Sequence, residues 1–220
     1  MMIRIQMGGD PARMGSSMMK KARKDRFVYV GRIEKQKGIR VLLRAWRYMG
    51  GEAPRLVICG TGSETGTCNG YLERERLSMV EMRGYVPNEE IKSIIEDSLA
   101  LIMPTQWYEG FGMVVIEAYS VGTPVVGSDI GNVADLIKDG ETGIHFRYDD
   151  PSSLARAVRW IQAHPLDPDH IREIYATYFT EQENYRILKD IYDAAVCGAN
   201  KEKVRYIDGS LSDRYGVDFK

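Results

Sequence analysis

Residues 99–126 read LALIMPTQWYEGFGMVVIEAYSVGTPVV, and the fold turns on them. Leu99-Ala100-Leu101-Ile102-Met103 is an unbroken apolar run of strand length, closed by Pro104. A strand without polar alternation must be covered on both faces, which is the condition of a central strand in a parallel sheet. Phe111 to Val121 then carries a helical pattern ending at Gly122, and Pro124-Val125-Val126 opens the next apolar strand. Strand, helix, strand at such short spacing is the crossover unit of an α/β sheet, and right-handed crossovers place helices on both faces.

The same alternation extends outward. Upstream, Phe27-Val28-Tyr29-Val30 is a β-rich run ending at Gly31. From about Lys37 to Met49, Leu42, Ala45, Trp46 and Met49 recur at i, i+3, i+4 and i+7, which predicts a helix with one apolar face. Leu56-Val57-Ile58-Cys59 is a second strand, a polar helix follows to about Leu77, and Met82 to Val86 reads as a third strand. Pro87-Asn88 signals a turn and a helix start, with the helix over 89–97. Downstream, a short helix is expected from Asn132 to Lys138 and a last strand from Gly143 to Tyr148. The remainder is helical, with one apolar stripe through Leu154, Ala157, Val158 and Ile161 and another through Tyr185, Leu188, Ile191, Tyr192 and Ala195.

Composition sets the limits. The chain has 220 residues, 44% of them hydrophobic and 28% charged, enough for one good core and against a disordered or collagen-like chain. Thirty basic residues against 31 acidic leave a net charge of −1, so no global field favours nucleic acid and any anion must be held locally. Cys59, Cys68 and Cys197 have no metal-ligand spacing and read as free thiols of a cytoplasmic protein. No apolar run reaches the roughly 20 residues of a membrane span. Residues 1–26 hold six of the 11 Met and seven Lys or Arg but few large aliphatics, and are expected to be a basic leader, disordered or foreign to the domain. A basic arm for a partner or a membrane surface is the other reading of that segment, although nothing else indicates peripheral membrane contact. The domain is expected over 27–197, its sheet to about residue 165 and a helical extension beyond, with a polar tail over 198–220.

In an open parallel sheet, ligands sit beyond the carboxyl ends of the strands. Gly31-Arg32-Ile33-Glu34-Lys35-Gln36-Lys37-Gly38 follows the first strand and is either a solvated basic turn or a phosphate site. Guanidinium forks onto phosphate oxygens and Lys adds a mobile charge. Gly60-Thr61-Gly62 lacks the full GxGxxG and a placed acidic residue, which argues against a nicotinamide dehydrogenase. After the apolar strand, Glu109 stands just before a Gly-rich helix opening and Glu117 on that helix, roughly 9 Å along its axis. A diphosphate at the helix N-terminus would bring its two flanking polyols near the two carboxylates, each able to accept two hydroxyl hydrogen bonds. The other reading makes Glu109 a partner of the helix dipole and Glu117 a surface helix residue, but Glu117 lies between Val114-Val115-Ile116 and Ala118-Tyr119, an apolar setting in which a carboxylate calls for a reason.

Together these motifs resemble the C-terminal, nucleotide-sugar-binding domain of retaining GT-B glycosyltransferases of the family 4, or group 1, type. The resemblance rests on Glu109-x7-Glu117, Gly31-Arg32 with Lys37-Gly38, Gly84-Tyr85-Val86-Pro87, Gly122-Thr123-Pro124-Val125-Val126 and Asp139-Gly140-x-x-Gly143, in the family's order over residues 27–196. It implies a single doubly wound, Rossmann-like α/β domain with a parallel sheet, the C-terminal half of a GT-B fold, plus C-terminal helices. By resemblance, Arg32 and Lys37 would neutralise the diphosphate and the leaving group, with no metal or other cofactor expected. Glu109 would contact the donor sugar and face the reacting carbon. Gly31 and the backbone N–H groups of Gly112, Met113 and Val114 would meet phosphate and sugar, Glu117 the ribose, and the backbone of Tyr85 and Val86 the base of a UDP- or GDP-sugar.

The resemblance also sets an expectation about partners. Such enzymes carry acceptor and catalytic histidine on an N-terminal domain, and His145, His164 and His170 match no such position. A separate acceptor domain or a homo-oligomer is therefore expected, with the 182–196 helix as a contact surface, and His145 is read as structural. A non-catalytic nucleotide-sugar-binding subunit or sensor is the alternative. A phosphorylase or epimerase of the same fold is a third class, for which no pyridoxal-binding lysine is evident.

Overall fold

The computed structural model describes residues 25–108 and 110–196. The leader to residue 24, Glu109, and the tail from Cys197 lie outside the described residues, as do the side chains of Ile191 and Ala195. Among the described residues, six parallel strands form one sheet: β1 (Arg26–Val30), β2 (Arg55–Cys59), β3 (Val80–Gly84), β4 (Ala100–Met103), β5 (Val125–Ser128) and β6 (Gly143–Phe146), in the order β3-β2-β1-β4-β5-β6. The connecting helices are α1 (Ile39–Met49), α2 (Thr65–Glu75), α3 (Asn88–Glu96), α4 (Met113–Ser120), α5 (Gly131–Leu136), α6 (Pro151–Ala163), α7 (Pro168–Tyr178) and α8 (Glu181–Val196).

The period-2 alternation of each strand sorts its side chains between two cores. Phe27 and Tyr29, Leu56 and Ile58, Ala100 and Ile102 join one face with the α1 and α6 side chains. Val28, Val57 and Cys59, Leu101 and Met103 join the other with those of α3, α4 and α7. The four residues of β4 are buried, as its unbroken apolar run requires. Helix α1 buries Leu42, Ala45, Trp46 and Met49 together, and the Trp46 indole N–H donates to the Pro54 carbonyl at 2.7 Å. Cys59 and Cys68 are buried free thiols, and burial pushes Cys68 up to about 11.

Several boundaries differ from the sequence expectation. Arg26, assigned to the leader, opens β1: it pairs with Arg55 of β2, and its guanidinium lies 3.9 Å from Asp97. Strand β3 ends at Gly84, where φ of 70° leaves the β region, so Tyr85 and Val86 belong to the loop beyond it. Lys37 lies in a 3-10 turn, Lys35–Lys37, and α1 begins only after Gly38. Phe111 precedes α4, α5 spans Gly131–Leu136 rather than Asn132 to Lys138, and β6 stops at Phe146, short of Tyr148. Three helices follow α5, not two stripes, because Pro165 and Pro168 separate α6 from α7. On α8, Tyr185, Leu188 and Tyr192 are exposed. No helix among the described residues is long and apolar enough to cross a membrane.

Candidate active site

The strand order reverses between β1 and β4: β2 and β3 lie to one side, β5 and β6 to the other. The chain leaving β1 and the chain leaving β4 turn away from each other there, which opens a crevice at the carboxyl edge. A cleft of about 430 Å³ occupies that position. Gly31, Arg32 and Lys37 line it from the loop after β1, and Thr105 from the loop after β4. Gly112, Met113, Val114 and Glu117 line it from α4, and Asn88 and Ile91 from α3.

Helix α4 is aimed by the residue just before it. Gly112 is its N-cap with φ 68° and ψ 43°. The Val115 N–H donates back to the Gly112 carbonyl at 2.8 Å, while the N–H groups of Met113 and Val114, in the first turn, have no intrahelical acceptor. The residues that carry these donors, and with them the positive end of the helix dipole, line the cleft. The helix is fixed from behind: buried Tyr119 donates its hydroxyl to the Leu136 carbonyl at 2.9 Å and pairs with Thr142 Oγ1 at 3.1 Å.

Glu117 is half-buried, and burial raises its pKa, an effect that Lys92 on α3 opposes. A carboxylate so placed favours hydroxyl donors, because each hydrogen bond recovers part of the lost hydration. Arg32, from the loop after β1, is two-thirds exposed and its Nη1 donates to Glu34 Oε1 at 2.7 Å. The Gln36 amide donates to the other Glu34 oxygen at 2.8 Å. Two cations, a helix N-terminus and a half-buried carboxylate on one cleft can bind a polyphosphate joined to a polyol.

Of the residues singled out in the sequence, Gly31, Arg32, Lys37, Gly112, Met113, Val114 and Glu117 converge on this cleft. Tyr85 and Val86 are not among its lining; Tyr85 is exposed on the loop after β3. Glu109 lies outside the described residues. His145 is absent from the cleft lining, and its ring nitrogens are 2.8 Å from Asp139 Oδ1 and 3.0 Å from the Ala134 carbonyl. The sequence reading missed Thr105, Asn88 and Ile91 as lining residues and Glu34 as the partner of Arg32. Asn88 stood out only as a helix start.

Comparison with known proteins bears on this cleft. The profile of a family described as "Glycosyl transferases group 1" matches residues 17–177, beginning within the first 26 residues. The glycogen synthase of Mycobacterium tuberculosis H37Rv is 30% identical over 197 residues, 86% of this chain and 47% of the relative. The D-inositol 3-phosphate glycosyltransferase of Corynebacterium diphtheriae is 32% identical over 201 residues, 84% of this chain and 46% of the relative. The chain thus spans about half the length of the curated relatives it matches. Among solved structures, the sucrose-phosphate synthase of Thermosynechococcus elongatus superposes with a TM-score of 0.70 at 24% identity, over 79% of this chain and 46% of that one. Anabaena HepE, solved in complex with UDP-glucose, superposes with a TM-score of 0.68 at 18% identity, over 78% and 50%.

Proposed function

Because the chain belongs to the group 1 glycosyl transferases, we propose that its cleft binds a nucleotide-diphosphate sugar, UDP- or GDP-linked, and that it supplies the donor half of a glycosyl transfer with retention. The observation that carries the reading is the convergence of Arg32, Lys37, the α4 N-terminus and Glu117 on one cleft at the strand-order reversal.

In this reading the diphosphate lies between the Arg32–Lys37 loop and the first N–H groups of α4. Arg32 and Lys37 take up the charge that grows on the leaving diphosphate as the glycosidic bond breaks, and no metal ion is needed for that role. Gly31 and Gly112 let the backbone approach the phosphates and the sugar. Glu117 accepts the ribose hydroxyls, and the backbone of Tyr85 and Val86 meets the base. Glu109 contacts the donor sugar beside the reacting carbon. The acceptor is presented by a second domain or a partner chain. The buried free thiols Cys59 and Cys68 support a reducing, cytoplasmic setting.

Titration calorimetry of the full chain with UDP and with GDP, without added metal, tests the reading. One of the two is expected to bind. Arg32→Ala and Lys37→Ala should each weaken binding about tenfold, the scale of one charge-assisted hydrogen bond. Failure of both nucleotides to bind the folded chain refutes the proposal. Binding without turnover, when a family acceptor domain is supplied, would favour the non-catalytic subunit.

A further inference from the structure

We infer that Glu34 is a positioning residue of the donor cleft, holding Arg32 and the turn that carries Lys37 in register for a diphosphate; the inference rests on the donor reading above. Glu34 lies between the two cations in sequence, and both its side chain and its backbone are engaged. One carboxylate oxygen accepts from Arg32 Nη1 at 2.7 Å. The other accepts from the Gln36 amide at 2.8 Å, which fixes the plane of the carboxylate. Its backbone carbonyl accepts the Lys37 N–H at 3.1 Å and so closes the 3-10 turn. The Gln36 carbonyl accepts the Gln106 N–H at 2.9 Å, tying this turn to the loop after β4.

The exposures give the arrangement its direction. The Arg32 side chain is 67% exposed and that of Glu34 only 18%, so the carboxylate is the fixed member and the guanidinium the one that is held. The bond uses one of the five N–H donors of Arg32, leaving a fork for phosphate oxygens. An unheld Arg at such exposure must lose its rotamer freedom on binding. The counter-argument is electrostatic: a carboxylate close to a diphosphate repels it. The two effects have opposite signs in a binding measurement.

The test is affinity of the full chain, by calorimetry, for whichever of UDP and GDP it binds, for Glu34→Ala and Glu34→Gln, each alone and combined with Arg32→Ala. Glu34→Ala should weaken binding about three- to tenfold, the scale of ordering one long side chain. Glu34→Gln keeps an oxygen for Arg32, and the Gln36 amide can turn to match it; this variant should bind within about twofold of the unaltered chain. With Arg32→Ala already present, Glu34→Ala should add less than about a twofold change, since coupled partners are not additive. Tighter binding by both single variants would overturn the inference in favour of repulsion. A loss that persists undiminished without Arg32 would overturn it in favour of a purely local role in the turn. If the unaltered chain binds UDP or GDP and Arg32→Ala weakens that binding while Glu34→Ala does not, the inference falls and the donor reading stands. If the unaltered chain binds neither UDP nor GDP, both fall.

Discussion

Gly38 packs its backbone against Pro104 at the end of β4, next to the cleft-lining Lys37, and Gly38→Ala tests that geometry. Its φ of 72° and ψ of 16° are left-handed, which costs an L residue about 1–2 kcal/mol. A Cβ built there would lie 1.5 Å from the Pro104 carbonyl oxygen and 2.5 Å from its carbon. Carbon–oxygen contacts settle near ~3.3 Å, so α1 and the end of β4 would have to separate by roughly 1.8 Å. Neither side yields easily: Ile39, Leu42 and Trp46 behind Gly38, and Leu101 and Ile102 ahead of Pro104, are fully buried. Strain of that kind in a packed core costs about 1–3 kcal/mol more. The expected total is about 2–5 kcal/mol, a large share of the ~5–15 kcal/mol that holds a domain together. Urea unfolding followed by circular dichroism measures it. Gly140→Ala is the control, because Gly140 has φ of 79° but no atom within 4 Å of a Cβ, and so isolates the backbone cost. Equal destabilisation by the two substitutions would refute the contact argument. Where the Gly38→Ala chain still folds, nucleotide affinity should also drop, since Lys37 and Pro104 both line the cleft.

Glu117→Gln should separate stability from binding. Burial raises the Glu117 pKa, so folding favours the neutral carboxyl and stability falls as pH rises through that raised value. The Gln variant should lose this dependence, melt higher than the unaltered chain above neutral pH and match it in acid, while binding nucleotide about tenfold more weakly; thermal melts from pH 4 to 8 and calorimetry check both halves. Tyr119→Phe leaves the Leu136 carbonyl and Thr142 Oγ1 short of a buried partner and should cost about 1–3 kcal/mol in urea unfolding, with weaker nucleotide binding as α4 loosens.

The fold was legible where burial is two-sided or strongly periodic. Ala100–Met103 admits only a central strand, and Leu42, Ala45, Trp46 and Met49 mark one helix face; all are buried as read. Strand β3 was displaced because it is an edge strand with Glu81 and Arg83 facing water, leaving too little apolar signal to outweigh Val86 next door. The cleft lining was legible where a motif sits in the loop after a strand, as Arg32 and Lys37 do, or at and on the helix that loop leads into, as Gly112 and Glu117 do. Asn88 and Ile91 were not, since they reach the cleft only because α3 carries the chain from the sheet edge at β3 back to its centre at β4. Nor was the Arg32–Glu34 pair, which depends on how a short turn folds its side chains rather than on any period.

The strand order has a consequence for how the chain is made. Strand β1 finds β2 within thirty or so residues, but its other edge is satisfied only by β4, where Phe27 meets Ala100 and Val28 meets Leu101. On the ribosome, that edge of β1 waits with a row of unpaired N–H and C=O groups while some seventy residues are added. That interval is the one in which a stray strand can dock, and a chaperone that shields residues 26–30 until residue 103 has emerged would protect the nascent domain where it is most exposed.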